Sequence, residues 1–160
     1  MKIFDFYVET SNYKINIIIY LNNKIKLKNI LFNKIKIFYI FMEEEFIKYG
    51  LINNIEGNYD TAIEQFTKAI TKNEQSYKGY LYRASAYTNK GEYNKALNDF
   101  EKAEKLRNED DEFYYLRGKA YFYNQNFNNA KSDFEKALTI NSINEENKEN
   151  INKLLTFLID

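Results

Sequence analysis

The 160-residue sequence contains no cysteine, histidine, proline or tryptophan, and it has only five glycines. Without cysteine there is no thiolate nucleophile, no disulfide framework and no structural zinc site. Without histidine, no side chain titrates near neutral pH unless its pKa is shifted. We therefore expect no cofactor and no bound metal ion. The absence of cysteine also fits a reducing compartment, so a cytoplasmic location is expected.

Charge is distributed unevenly, although the whole chain is neutral with 23 basic and 23 acidic residues. Residues 1–41 hold seven Lys and two acidic residues, whereas residues 42–160 hold 16 basic and 21 acidic residues. Of the first 41 residues, 35 are Ile, Asn, Lys, Phe, Tyr or Leu, and all nine Ala and all five Gly lie beyond Met42. The chain therefore consists of two parts that differ in both charge and composition.

Residues 15–41 alternate apolar residues with Lys, most clearly at "KIKLK" and "KIKIF". This period of two, with its β-branched residues, favours strands over helices, and Asn22-Asn23 could turn a hairpin. The five Lys between 24 and 36 interrupt any apolar run approaching the roughly 18 to 20 residues that a bilayer requires. The segment also lacks the single apolar block and small-residue cleavage site of a signal peptide.

Two interpretations of residues 1–41 stay open. The six dominant residue types can all be encoded by A and T alone, and "MEEEFIKYG" at Met42 begins the first repeat at once. Residues 1–41 would then be untranslated sequence, with the product starting at Met42. Alternatively the segment is a basic, aggregation-prone arm, a membrane-surface tether or a small β-ribbon.

Beyond Met42, one phrase occurs three times at a spacing of 34 residues, as "GNYDTAIEQFTKAITK", "GEYNKALNDFEKAEKL" and "QNFNNAKSDFEKALTI". A constant period of this kind indicates a repeat architecture. Units at 43–76, 77–110 and 111–144 align without a gap. Small residues and large rings then fall in fixed columns. The columns are Gly50, Ala84 and Gly118; Ala62, Ala96 and Ala130; Phe66, Phe100 and Phe134; and Ala69, Ala103 and Ala137.

This pattern resembles the tetratricopeptide repeat, which has an aromatic, a small residue and a Tyr on one helix, then Ala, an aromatic and Ala on the next. The resemblance implies an all-α, right-handed solenoid of three helix-turn-helix repeats. Gly57 and Gly91 stand where the first helix ends and the chain reverses, a position that favours left-handed dihedrals. Gln125 takes the third such turn and should be less favourable by about 1 kcal/mol. Unit one departs from the pattern at Asn53, where the Tyr is missing, so unit one is expected to fray most readily.

Residues 145–160 place Ile151, Leu154, Leu155 and Leu158 on one stripe of a seventh helix. A solenoid end needs such a helix, because the apolar face of the last repeat would otherwise meet water. We therefore predict a capping helix here.

The resemblance implies a concave groove, lined by the first helix of each unit, that binds a peptide or helix of a partner protein. A non-catalytic adaptor or scaffold is the expected function. The groove-facing places of the family map onto Lys48, Leu51, Asn54, Lys78, Leu81, Tyr82, Ser85, Asn89, Tyr115, Lys119, Phe122 and Tyr123.

Some co-chaperones of this family clamp the C-terminal carboxylate of heat-shock chaperones with Lys, Asn and Arg donors. The matching places here are Ile47, Leu51, Tyr82, Glu112 and Leu116, and none carries the required donor. An unpaired carboxylate would lose its solvation without compensation. We therefore expect that heat-shock chaperone tails are not partners.

Three other functions have weaker support in the sequence. Catalysis is not expected, because the acids Asp110, Asp111 and Glu112 form a charge run of the kind that connects units in solvent. Nucleic acid and membrane are not the expected partners, since only residues 1–41 are basic and the repeats would repel phosphates. Self-association through an exposed edge at Phe46 and Ile47 stays open as an alternative.

Overall fold

The computed structural model describes residues 2–106, 111–140 and 143–158, with side chains from residue 22 onward. These residues form seven α-helices, and no β-strand occurs among them, so the predicted all-α, helix-turn-helix fold is confirmed. The helices are α1 (Lys2–Ile55), α2 (Tyr59–Lys72), α3 (Tyr77–Lys90), α4 (Tyr93–Leu106), α5 (Asp111–Tyr123), α6 (Phe127–Thr139) and α7 (Glu145–Phe157).

The chain divides into two compact units, Met1–Phe41 and Met42–Asp160. The second unit contains the end of α1 and all of the other helices. Of the three acids singled out in the sequence, Asp111 and Glu112 form the first turn of α5, and Asp110 lies outside the described residues. No helix within the described part of the chain carries a stretch long and apolar enough to cross a bilayer.

The prediction of strands and a hairpin in residues 15–41 is wrong, because this segment is helical throughout. A strand satisfies its backbone N–H and C=O groups only by pairing with another strand, whereas a helix satisfies them within the segment. Residues 1–41 contain neither Gly nor Pro, so nothing in the local sequence breaks a helix. Alternating apolar residues describe a strand only when a sheet is present to receive them.

The repeat core in the second unit is built as the columns predict. All nine predicted core residues of the second helices α2, α4 and α6 are fully buried. Each Phe lies between the small residues of its own helix and those of the preceding first helix, and Phe100 meets Phe113 edge-on with ring centroids 5.8 Å apart. The nine are Ala62, Phe66, Ala69, Ala96, Phe100, Ala103, Ala130, Phe134 and Ala137.

Two glycines permit the close approach of these rings. A Cβ added to Gly50 would lie 2.4 Å from Cε1 of Phe66, and one added to Gly118 would lie 2.6 Å from Cε1 of Phe134. Real Cβ atoms do not approach carbon atoms so closely, so any side chain here would displace the ring. The glycines of this column therefore set the spacing of the two helices in units one and three.

The three turns between first and second helices share one geometry. Gly57, Gly91 and Gln125 have φ of 80°, 85° and 61°, all in the left-handed region. The next residue donates its backbone N–H back into the first helix in each turn, as Glu92 does to the Tyr87 carbonyl at 2.8 Å and Asn126 to the Tyr121 carbonyl at 2.8 Å. Such a turn satisfies the last carbonyls of the helix. The predicted left-handed position of Gln125 is confirmed.

Two ion pairs join the helices within units two and three. Arg83 contacts Asp99, and Arg117 contacts Asp133, in each case 16 residues apart and through two hydrogen bonds. The carboxylates are buried. The same columns of unit one hold Tyr49 and Gln65. Sequence analysis missed these pairs, although their 34-residue recurrence was available as a signal.

Helix α7 begins at an Asn144 N-cap whose Oδ1 accepts from the Asn147 N–H at 2.8 Å. Ile151 is fully buried in one cluster with Phe134 and Ala137 of α6, and Leu154 and Leu155 pack against that cluster. The predicted seventh helix is thus present and covers the apolar face of the third repeat.

Candidate partner-binding groove

The first helices of neighbouring repeats meet side by side in the second unit. Asn89 Nδ2 donates to Asn54 Oδ1 at 3.1 Å, which joins α3 to the end of α1. The Tyr82 hydroxyl donates to Glu112 Oε2 at 3.1 Å, which joins α3 to α5. Three of the predicted groove residues are therefore brought together from different repeats by direct hydrogen bonds.

The twelve predicted groove residues differ in accessibility. Lys48, Lys78, Asn89 and Tyr123 are exposed, and Leu51, Asn54, Tyr82, Lys119 and Phe122 are half-buried. Leu81, Ser85 and Tyr115 are buried. Nine of the twelve can therefore present surface to a partner.

Leu81 requires a correction, since it is only 1% exposed and belongs to the core. It packs in one cluster with Phe100 and Phe113, between the second and third repeats. An aliphatic side chain at this column is drawn into the space between helices, where burial is worth about 2 kcal/mol. It cannot contact a ligand without unfolding the repeat.

Tyr115 requires a second correction, because α7 covers it. Its ring belongs to the cluster of Ile143 and Ile151, and its hydroxyl hydrogen-bonds Asn150 of α7. Burial raises the pKa of the Tyr115 hydroxyl, and the bond to Asn150 opposes that rise. Helix α7 occupies the place where the first helix of a fourth repeat would lie, so this part of the groove is already filled.

Lys119 lies one turn beyond Tyr115, with its Nζ 5.6 Å from the centre of the Tyr115 ring. Burial lowers the pKa of the Lys119 ammonium. Within the described residues no carboxylate lies within ion-pair distance of it. A partly desolvated ammonium without a counter-charge gains strongly from an incoming carboxylate.

An aromatic cluster extends from Lys119 to the end of α7. Phe122 packs edge-on against Tyr123, Phe127 and Phe157, with ring centroids 5.6 to 5.8 Å apart. The rings of Tyr123, Phe127 and Phe157 are nonetheless exposed. Sequence analysis named Phe122 and Tyr123 but missed Phe127 and Phe157, because these two come from α6 and α7 and join the cluster only in three dimensions.

The places that correspond to the chaperone-tail clamp carry unsuitable groups. Ile47 is buried, and Leu51 and Leu116 present aliphatic side chains. Tyr82 already donates its hydroxyl to the Glu112 carboxylate. A second carboxylate at this position would face Glu112, a like charge. No group of three or more His, Cys, Asp or Glu side chains that could hold a metal ion occurs in the described part of the chain.

Comparison with family models gives two matches inside the repeats. A TPR repeat model matches residues 84–125, and a tetratricopeptide repeat model matches residues 111–144. No curated protein sequence matches the chain.

Solved structures give fuller coverage. The first TPR domain of human RPAP3 is 28% identical, with a TM-score of 0.66 over 74% of this chain and 93% of that one. The first TPR of Spaghetti (RPAP3), bound to the HSP90 peptide SRMEEVD, is 27% identical, with a TM-score of 0.64 over 74% of this chain and 94% of that one. The second TPR domain of human RPAP3, in complex with the HSP70 peptide SGPTIEEVD, is 26% identical, with a TM-score of 0.60 over 73% and 95%.

These neighbours bind peptides of other proteins, and the peptides are chaperone tails. The comparisons therefore support a protein partner. They do not support the expectation that chaperone tails are excluded, which stays a prediction.

Proposed function

Because this chain is a tetratricopeptide repeat protein, we propose that it is a non-catalytic adaptor that binds a peptide or helix of a partner protein along its first helices. The same mode of binding in neighbours of 26% to 27% identity supports the proposal. The fold limits the type of ligand surface and leaves the ligand to the side chains.

The observation that carries the proposal is the pairing of Lys119 with the aromatic cluster. An ammonium lacking a nearby carboxylate stands beside a half-buried Phe122 and an exposed Tyr123. Aromatic anchors supply large contact area at low entropic cost, and they dominate the energetics of many interfaces. The surface suits a segment that places a carboxylate at Lys119 and an apolar side chain against the rings.

The proposal includes the exclusion of chaperone tails. A C-terminal carboxylate bound at the clamp places would meet Glu112 and the aliphatic side chains of Leu51 and Leu116 instead of donors. Lys119 lies two turns of α5 away from Glu112, so it cannot replace the missing donors at that position. An internal acidic segment is the partner chemistry that this surface favours.

The experiment compares three full-length baits in affinity capture from host lysate. They are the parent, a groove variant Lys119→Glu/Tyr123→Ala, and a control variant Lys131→Glu/Asn128→Ala with the same change of charge on exposed positions of α6. Tyr82 and Tyr115 are left unchanged, because both pack within the repeats. Thermal melting of all three baits confirms matched stability.

A protein retained by the parent and the control but lost from the groove variant supports the proposal. Its affinity for purified parent should then fall about tenfold or more in the groove variant, as expected for the loss of one aromatic anchor and one charge pair. Equal retention by all three baits would place binding elsewhere on the repeats and contradict the proposal.

A further inference from the structure

The described part of the first unit exposes an unusual amount of apolar surface. Every side chain from residue 22 to residue 41 is exposed, and eleven of them are large and hydrophobic. Contiguous apolar patches of this size on a protein surface mark contacts with other molecules. The helical conformation, which the sequence did not predict, decides how these side chains are grouped.

The helix sorts its residues into two faces. Asn22, Lys26, Asn29, Asn33 and Lys36 follow the spacing of one helical face and form a polar stripe. Leu31, Phe32, Ile35, Phe38 and Tyr39 follow the same spacing on the other side and form an apolar stripe. The alternation that suggested a strand thus becomes an amphipathic helix.

Charge indicates what covers the apolar stripe. Residues 22–41 contain five Lys and no acidic residue, so the segment carries a charge of +5. A second copy packed stripe to stripe would bring ten positive charges together, which is unfavourable. A nucleic acid would match the charge but leave Leu31, Phe32 and Phe38 in water. An anionic bilayer surface satisfies both the charge and the apolar stripe.

We propose that residues 22–41 form an interfacial helix that binds an anionic lipid surface. The apolar stripe lies at the boundary between headgroups and acyl chains, and the polar stripe faces water. Lys24, Lys28 and Lys34, which flank or interrupt the apolar side, extend their aliphatic stems along it and carry their ammonium groups to the headgroups. Twenty helical residues extend about 30 Å along the surface.

The first test is co-sedimentation of the full chain with vesicles. Phosphatidylcholine vesicles containing about 30% phosphatidylserine provide the anionic surface, and pure phosphatidylcholine vesicles provide the neutral one. We expect binding to the anionic vesicles to be at least about tenfold tighter than to the neutral ones, since each Lys near such a surface contributes roughly fivefold. Failure to bind the anionic vesicles would overturn the proposal.

The second test separates insertion from simple charge attraction. The variant Leu31→Glu/Phe38→Glu alters the apolar stripe, and Asn22→Glu/Asn29→Glu alters the polar stripe with the same change of charge. The apolar-stripe variant should bind anionic vesicles at least about tenfold more weakly than the polar-stripe variant, because only the former loses buried apolar area. Circular dichroism confirms that both variants keep their helix content.

Equal weakening of the two variants would show that the apolar stripe does not insert, and would overturn the proposal. A chain that dimerises by light scattering, and that loses the dimer only in the apolar-stripe variant without binding vesicles, would assign the stripe to a second copy instead. Binding to a single-stranded oligonucleotide that both variants weaken equally, with no vesicle binding, would assign the segment to nucleic acid. Each of these results excludes the lipid surface.

Discussion

Arg117 holds Asp133 through two parallel hydrogen bonds, from Nε to Oδ2 at 2.7 Å and from the terminal nitrogen NH2 to Oδ1 at 2.9 Å. Arg83 and Asp99 repeat this arrangement 34 residues earlier with the same two distances. Arg117 also contacts Glu104 of the preceding repeat at 3.0 Å. Burial alone would lower the pKa of the Arg117 guanidinium, but Asp133 and Glu104 together raise it. The pair therefore fixes the first helix to the second within a repeat and links that repeat to its neighbour.

Removing one partner of this pair should be costly. Asp133→Ala leaves the Arg117 charge largely buried without its main counter-charge, so we expect the free energy of unfolding to fall by about 3 kcal/mol. The double variant Arg117→Met/Asp133→Leu should recover most of that loss, because apolar side chains of similar volume replace the pair without an unpaired charge. Urea unfolding of the single and double variants measures both values.

The matched control is Glu101→Ala, which breaks the exposed pair between Glu101 and Lys105 in α4. Exposed pairs of this kind contribute little, so the change should stay within about 0.5 kcal/mol. A double variant as unstable as Asp133→Ala would show that the pair stabilises the repeat by itself, against the expectation.

Gln125→Gly should stabilise the third repeat. Gln125 has φ of 61°, and a side chain in this region costs about 1 kcal/mol that Gly avoids. A Cβ added at the corresponding Gly57 would meet no atom within 4 Å, so the benefit of Gly at this turn comes from the backbone and not from packing. We expect a gain of about 1 kcal/mol in urea unfolding. The control Lys131→Gly, at an exposed position within α6, should lose about as much, because Gly weakens a helix interior.

The repeats could be predicted from sequence because their packing is local and periodic. Phe66, Phe100 and Phe134 lie in the same surroundings three times, so one column determines three contacts. The left-handed turn at Gln125 followed from the same alignment. The N-terminal segment could not be predicted in this way, because a period of two yields a strand only if a partner strand exists.

The groove was predicted in part for a similar reason. A column identifies which residues face away from the second helix, but not whether a neighbouring element covers them. Leu81 fills the space between repeats, and α7 covers Tyr115, so both are lost from the surface. Phe127 and Phe157 join the site from helices that the family pattern does not assign to the groove.

Unit one should open first. It has Tyr49 and Gln65 in place of the ion pair, and Asn53 in place of the Tyr found at 87 and 121. Backbone amides of α2 should therefore exchange with deuterium faster than those of α4 and α6, because local opening costs less where fewer tertiary contacts must break. Asn53→Tyr should slow exchange in α2 by adding about 1 kcal/mol of apolar burial. Equal protection of α2 and α4 in hydrogen-exchange mass spectrometry would contradict this prediction.

Lys119 should show an opposition between stability and binding. Burial lowers the pKa of its ammonium in the folded state below the ordinary value of 10.5, so the folded state holds this proton less tightly than the unfolded state. The charge therefore opposes folding at neutral pH, and this effect fades as the pH rises through the folded pKa toward 10.5. Lys119→Met should raise the melting temperature at pH 7, with a smaller difference from the parent at pH 10, while weakening capture of the partner. A variant that melts lower at pH 7 would contradict the prediction.

Chaperone tails provide the sharpest test of partner choice, because structural neighbours bind SRMEEVD and SGPTIEEVD. We expect neither peptide to bind this chain saturably in fluorescence anisotropy, since Glu112 and Leu116 occupy the places where the family carries Lys and Arg. The variant Glu112→Lys/Leu116→Arg should gain measurable affinity, because charge-assisted hydrogen bonds to a carboxylate contribute about 1.5 to 3 kcal/mol each. The matched variant Glu101→Lys/Leu106→Arg makes the same residue changes at exposed positions of α4 and should gain none. Saturable binding of either peptide to the parent would show that Lys119 or another cation supplies a clamp that the family pattern does not describe.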